Sequence, residues 1–364
     1  MYTVSSFSKQ IPLLTGHDTV ECAYYLVPLT GCLLDYECLA AEKESLRLAK
    51  IRHSKPIRLG SEEFLLSPNG TRSGYPFLIE NDSFSIQFGE FNKPNFFVTY
   101  RSVALWQSGV ANLHQRFMDW VASMGLAVFQ PERLSRVDFT FDYPLETIDF
   151  DEDSFVTQFA KDAQHRKDRK IQGFRFGEGE LLLRVYNKVD EIREKSAKMW
   201  FFDLWGVDQN VWRIEWQVRK NWLRTFGIRT YTDLEERQGD LLRFLVTDHT
   251  TLRIQSEDSN RSRWPIHPLW KHLQTQVKQM AGLGVIRELD RGAQLAERET
   301  RIAISVYGYL KRLAAIQGLQ RNSDEIGFEE SLKRLTHKLE NVHEPLTWEN
   351  DVTRRYHEMR LGQW

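Results

Sequence analysis

Cysteine is scarce in this chain of 364 residues, which carries three, Cys22, Cys32 and Cys38. An odd number cannot pair off, and their separations match neither a CxxC redox site nor a four-ligand zinc knuckle, so no disulfide framework or structural zinc is expected. Long apolar runs are missing as well. No stretch approaches the roughly 18 uninterrupted apolar residues of a membrane-spanning helix. The first residues, "MYTVSSFSKQIPLL", have one lysine, no sustained apolar core and no small-residue cleavage pattern. A reducing, cytoplasmic setting with no membrane partner is the expectation. An excess of either charge is absent too, since 49 Lys and Arg face 50 Asp and Glu. That balance argues against a protein that coats nucleic acid non-specifically and leaves room for a local basic groove. The glycines of "GFRFGEGE" do not make a GxxxxGK[ST] or GxGxxG phosphate cradle, and there is no internal repeat or low-complexity tract.

What is present is the composition of a globular protein, 41% apolar and 27% charged, with eleven tryptophans, more than a core usually needs. The length suits one large or two ordinary domains. Up to about residue 260 short alternating runs and helical runs succeed one another, which predicts an α+β domain. "SFSIQFGE" and "NFFVTYRS" flank "FNKPN", so residues 83 to 102 read as a β-hairpin. Val110, Leu113, Phe117, Trp120, Val121 and Met124 then fall at helical spacing, with Gly125 as a stop. "LSRVDFTFDYP" and "VWRIEWQVR" alternate as strands, and "KIQGFRFGEGELLLRVYNK" reads as two strands around "GEGE". "VDEIREKSAKMWFFDLWG" predicts a helix ending at Gly206. Alternation stops near "RSRWPIHPLW". The expected division is 1–260 and an all-helical 264–364, with the boundary at residues 256 to 266 and with stripes at Leu273, Val277, Met280, Leu283, Ile286 and at Ile302, Val306, Tyr309, Leu310, Leu313.

Three strands share an unusual split. Val137, Phe139 and Phe141 lie on one face against Arg136, Asp138, Thr140 and Asp142; Ile214, Trp216 and Val218 oppose Arg213, Glu215, Gln217 and Arg219; Leu183 and Val185 oppose Arg184, Tyr186 and Lys188. One such face is a solvated surface with cross-strand ion pairs. Three together bring acids, guanidiniums and a phenol into one patch, and that set has a chemical use. Asp138 and Glu215 are hard oxygen ligands suited to Mg²⁺ or Mn²⁺. Arg184, Arg213 and Lys188 suit phosphate oxygens and the charge that builds on them. Tyr186 suits nucleophilic attack.

"LSRVDFTFDY", "LLLRVYNKVDEIRE" and "VWRIEWQVR", in that order, resemble the replication initiation factors of rolling-circle plasmids and filamentous phages and the related conjugative relaxases. The resemblance spans roughly residues 80 to 225. It implies an antiparallel nicking domain whose tyrosine attacks origin DNA in single-stranded or hairpin form, becomes joined to the 5′-phosphate and leaves a 3′-hydroxyl. Residue by residue it implies Tyr186 as nucleophile, Asp138 and Glu215 as metal ligands with Asp142 as a third acid, and Arg184, Lys188 and Arg213 as phosphate contacts. Host helicase and polymerase are the implied partners, and a homodimer stays open. Many nicking enzymes hold their metal with a His-apolar-His pair; none of the ten histidines here forms one, which points to a carboxylate-based site. The basic run "HRKDRK", 165 to 170, is either a solvated loop or a track for DNA phosphates. Of Trp200, Phe201, Phe202, Trp205 and Trp212, most are expected in the core, with one or two free to stack on bases. The alternative of another class is a non-catalytic, sequence-specific DNA-binding protein in which Tyr186 only packs.

Overall fold

The computed structural model describes residues 14–50, 54–282, 291–323 and 326–360. The chain forms two compact units, residues 1–289 and 290–364. In the first, a long strand β1 (Leu14–Pro28) is followed by α1 (Tyr36–Leu48), β2 (Lys55–Leu59), β3 (Glu62–Leu66), β4 (Phe77–Glu80), β5 (Phe84–Phe88), β6 (Phe96–Tyr100) and α2 (Ser102–Ser123). A second long strand, β7 (Leu126–Pro144), leads to β8 (Phe155–Thr157), β9 (Asp162–Lys167), β10 (Lys170–Glu178) and β11 (Leu181–Asn187). Then come α3 (Lys188–Glu191), α4 (Trp200–Trp205), β12 (Val211–Arg219), α5 (Lys220–Thr225), α6 (Tyr231–Phe244), β13 (Thr250–Leu252) and α7 (Pro268–Lys278).

Eleven of these strands make one antiparallel sheet, ordered β2-β3-β4-β5-β6-β1-β7-β12-β11-β10-β9, while β13 and β8 pair separately. The expected α+β class with a mainly antiparallel sheet is therefore present. The order is mirrored about the centre. β1 is flanked by β6 and β5 as β7 is flanked by β12 and β11, a relation the sequence does not display as a repeat. The hairpin of residues 83 to 102 forms as β5 and β6, and "GEGE" joins β10 to β11.

One face of the sheet is apolar because alternate residues of most strands are, the edge strand β9 being the exception. In the first half it receives α2: Phe117 lies 4.4 Å from Tyr24 and 5.9 Å from Phe84, ring centre to ring centre, and Trp120 6.4 Å from Phe96. Gly109, at φ +76°, breaks the helical path inside α2, a conformation that side-chain-bearing residues rarely adopt. In the second half Trp270 of α7 stands 6.2 Å from Phe155, whose ring packs at a tilt against Phe174 and Phe176 of β10. Trp270 is fully buried, as are Leu273 and Val277, and its indole donates to the Val246 carbonyl at 2.8 Å. Burial of each such side chain is worth roughly 1.5–3 kcal/mol. The expected boundary at 256 to 266 is thereby corrected, since α7 completes the core of the first unit.

The second unit is helical, with α8 (Arg291–Arg321), α9 (Phe328–Val342) and α10 (Pro345–Arg360). Its α8 and α9 meet through buried Leu310, Gln317 and Ser331, and Gln317 donates to Glu330 at 2.9 Å. Of the stripe expected on α8, Ile302, Val306 and Tyr309 are exposed and Leu310 is the buried member. In the other stripe Leu273 and Val277 are buried, and Leu283 and Ile286 lie outside the described residues. No helix among the described residues is long and apolar enough to cross a membrane.

Candidate functional site

The charged residues of β7, β11 and β12 share the sheet face opposite the apolar one, as the alternation requires. Register aligns them in rows. Gly173, Tyr186, Arg213 and Asp142 form one row across β10, β11, β12 and β7; Arg175, Arg184, Glu215 and Thr140 form the next; Leu182, Gln217 and Asp138 form the third. Asp138, Asp142, Arg213 and Glu215 are buried, at 1%, 0%, 0% and 3% exposure, which separates them from a solvated surface.

Tyr186 and Glu215 are in direct contact. The phenol donates to Glu215 Oε2 at 2.7 Å, and the other oxygen of that carboxylate is held by Arg184. Burial, then the charge of Glu215, pushes the Tyr186 phenol well above its ordinary range, against the smaller pull of Arg213 and Arg184. The Arg184 Nε is buried without a hydrogen-bond partner, a donor whose need is unmet beside the phenol. Gly173 makes the ring's position sterically feasible: a Cβ there would stand 2.6 Å from the Cβ of Tyr186.

Asp138 is gripped at both oxygens by Arg136, at 2.8 and 2.5 Å, and Arg136 also reaches Glu21 at 3.4 Å. Burial raises the Asp138 carboxyl to about 6; the Arg136 hydrogen bond opposes the rise and the nearby charge of Glu215 adds to it. Asp138 and Glu215 thus lie within electrostatic reach of each other. Asp142 does not join them. Its oxygens accept from Arg213 Nε at 2.6 Å, Arg213 Nη2 at 2.8 Å and Trp205 Nε1 at 3.0 Å, deep in the protein. The third-acid role expected for Asp142 is corrected accordingly. Among the described residues no group of three or more His, Cys, Asp or Glu side chains is placed to hold a metal ion.

Two expected phosphate contacts also change place. Arg213 spends its donors on Asp142 and, through Nη1, on Asp18 at 3.1 Å, and its guanidinium lies 4.6 Å from the ring centre of Phe201. Lys188 is not a strand residue but the first residue of α3, 3% exposed, with its amine on Glu191 at 2.5 Å. Burial, then the charge of Arg213, lowers the Lys188 amine from its ordinary value. The helix expected from Val189 to Trp205 is divided into α3, a π-helical turn (Ile192–Ser196) and α4, the last closed by Gly206 at φ +67°. Phe201, Trp205 and Trp212 are buried, as the core reading expects.

Asp18 was not among the expected site residues. By parity with Val20, Cys22 and Tyr24 it belongs on the apolar face, but β1 slips register between His17 and Thr19, and the bulge turns Asp18 to Arg213. It also accepts from Ser102 at 2.8 Å, Trp106 at 3.2 Å and Lys198 at 3.2 Å. Burial alone raises its carboxyl, yet Arg213, Lys198 and Lys188 together hold it well below the usual range. The available signal was an acid at a core-parity position of a strand. Gly173 carried no comparable signal, and Arg136 was legible on the polar face of its strand but not as the clamp on Asp138.

Tyr186 and Arg184 line a cleft of about 790 Å³ whose wall includes His165, Arg166, Lys167, Arg175 and Lys195. Residues 165 to 167 of the basic run therefore line the cleft. Asp190, Glu191 and Glu194 line it too, so the cleft is mixed in charge.

No protein-family model matches the chain, and no curated protein sequence matches it. Among solved structures it is similar to the rolling circle replication initiator protein from Geobacillus stearothermophilus, at 15% identity, over 73% of this chain and 97% of that chain, with a TM-score of 0.44.

Proposed function

We propose that the chain nicks and religates DNA at a replication origin of the rolling-circle type, with Tyr186 as the nucleophile. The observation that carries this reading is the Tyr186 to Glu215 hydrogen bond of 2.7 Å beside Arg184, in the wall of a cleft edged with cations. A half-buried phenol held above its ordinary pKa is inert at rest, and it needs a base at the moment of attack. Glu215 Oε2 already accepts its proton. As the oxygen bonds to phosphorus, that proton passes to Glu215, and Arg184 turns from the neutralised carboxyl toward the phosphate, where charge is building. Arg213 and Asp142 hold β12 and α4 in place and do not touch substrate. The product is a 5′-phosphotyrosine and a free 3′-hydroxyl, which a host polymerase would extend behind a host helicase.

Mg²⁺ or Mn²⁺, expected on Asp138 and Glu215, does not fit the pair as it stands: Arg136 holds both oxygens of Asp138, Tyr186 and Arg184 hold those of Glu215, and a Glu215 that takes the phenol's proton cannot at the same time ligate a cation. The test uses single-stranded oligonucleotides of randomised sequence with Mn²⁺, followed by denaturation. A denaturant-stable protein-DNA adduct is expected, and its sequence reveals the origin. DNA retained under native conditions without any adduct would favour the non-catalytic DNA-binding reading.

A further inference from the structure

Breaking a phosphodiester at its 3′-oxygen leaves an alkoxide that needs a proton, and none of the residues assigned above supplies one. The sheet register places a candidate. His165 of β9 pairs with Gly173 of β10, which pairs with Tyr186 of β11, so imidazole and phenol rise from the same face on either side of a residue with no side chain. All three line the cleft, and the phenol leans toward Glu215 on the far side from β9. The His165 imidazole is exposed and makes no hydrogen bond or ion pair within the described residues, whereas the neighbouring Arg166 and Lys167 side chains are held by Gln164 and Glu194. Strands two apart are separated by about 9.5 Å. An in-line row of attacking oxygen, phosphorus, leaving oxygen and proton donor spans roughly 7–8 Å. The strand spacing over Gly173, which carries no side chain, leaves room for that row.

Resting on the nicking reading, we infer that His165 is the general acid for the leaving 3′-oxygen and the general base for religation. In the forward step the Tyr186 oxygen bonds to phosphorus and gives its proton to Glu215. The bond from phosphorus to O3′ breaks, its electron pair stays on the oxygen, and the His165 imidazolium gives that oxygen its proton. In the reverse step the neutral imidazole removes the proton from the 3′-hydroxyl as O3′ bonds to phosphorus, the bond from phosphorus to the Tyr186 oxygen breaks with its electron pair on that oxygen, and Glu215 returns the proton to the phenol.

The test compares the full-length wild type with His165→Ala on two oligonucleotides, one with the ordinary phosphodiester and one with sulfur replacing the bridging 3′-oxygen at the nick site. A thiolate leaves without protonation. General acids contribute about 100-fold or more, so His165→Ala should nick the ordinary DNA about 100-fold more slowly and the sulfur-bridged DNA within about threefold of wild type. An equal loss on both substrates would make His165 a phosphate contact and overturn the assignment. No loss on either would overturn it too. A wild type that cleaves neither substrate would overturn the nicking reading itself, and the His165 assignment with it.

Discussion

Replacing Arg213 by Met should unfold the site before it touches the chemistry. Arg213 and Asp142 are both wholly buried, and the guanidinium makes two hydrogen bonds to Asp142 and one to Asp18. Met keeps most of the volume beside Trp106 and Phe201 and removes the charge, leaving the Asp142 carboxylate with only the Trp205 indole. Breaking a buried pair in this way costs about 3–5 kcal/mol. A domain has about 5–15 kcal/mol in total, so the loss is a large share of it. Urea unfolding at pH 7 would read it as a lower midpoint at unchanged slope. The double variant Arg213→Met with Asp142→Asn removes the orphaned charge; Asp18 keeps Lys198, Ser102 and Trp106, and part of the loss should return. If Arg213→Met unfolds within about 1 kcal/mol of wild type while nicking falls tenfold or more, Arg213 is a phosphate contact and the buried clasp described above is wrong.

Asp138 should make stability depend on pH. Its carboxyl is raised from 3.8 to about 6, so its contribution is complete below pH 4 and is lost as pH rises through 6; at 1.36 kcal/mol per unit the loss is roughly 3 kcal/mol. Asp138→Asn should flatten that part of the pH profile in urea unfolding; an unchanged slope would refute the burial argument. Truncation tests the boundary. Residues 1–289 should unfold cooperatively, whereas 1–260 lacks Leu269, Trp270 and Leu273 and should not; a stable, cooperative 1–260 fragment would contradict the placement of α7.

Much of the second half of the sheet was legible because strand alternation is local: Val137, Phe139, Ile214 and Trp216 against Asp138 and Glu215 can be read from neighbours two residues apart, and the structure places them so. The pairing of Tyr186 with Glu215 follows once those strands are neighbours. What alternation cannot show is how a charge is spent. Arg213 and Arg184 look alike in sequence, but α4 closes over Arg213 with Trp205 and Phe201, while Arg184 remains at the cleft. The bulge that turns Asp18 inward depends on pairing with β7, more than a hundred residues away, and so leaves no local pattern. The boundary was set too early because the polar stretch around Ser256 to Arg263 looks like a linker, although Trp264 to His267 bond back to the first unit and α7 fills its core.

The central claim is the identity of the nucleophile. The most direct measurement is peptide mass spectrometry of the protein trapped on single-stranded DNA, with Tyr186→Phe run alongside. The nucleotide should map to Tyr186, in the peptide containing "VYNK", and the variant, which loses one oxygen and about 1 kcal/mol of hydrogen bonding, should stay folded, bind DNA and form no adduct. A nucleotide on Tyr231, Tyr307 or Tyr309, or undiminished nicking by Tyr186→Phe, would contradict the account.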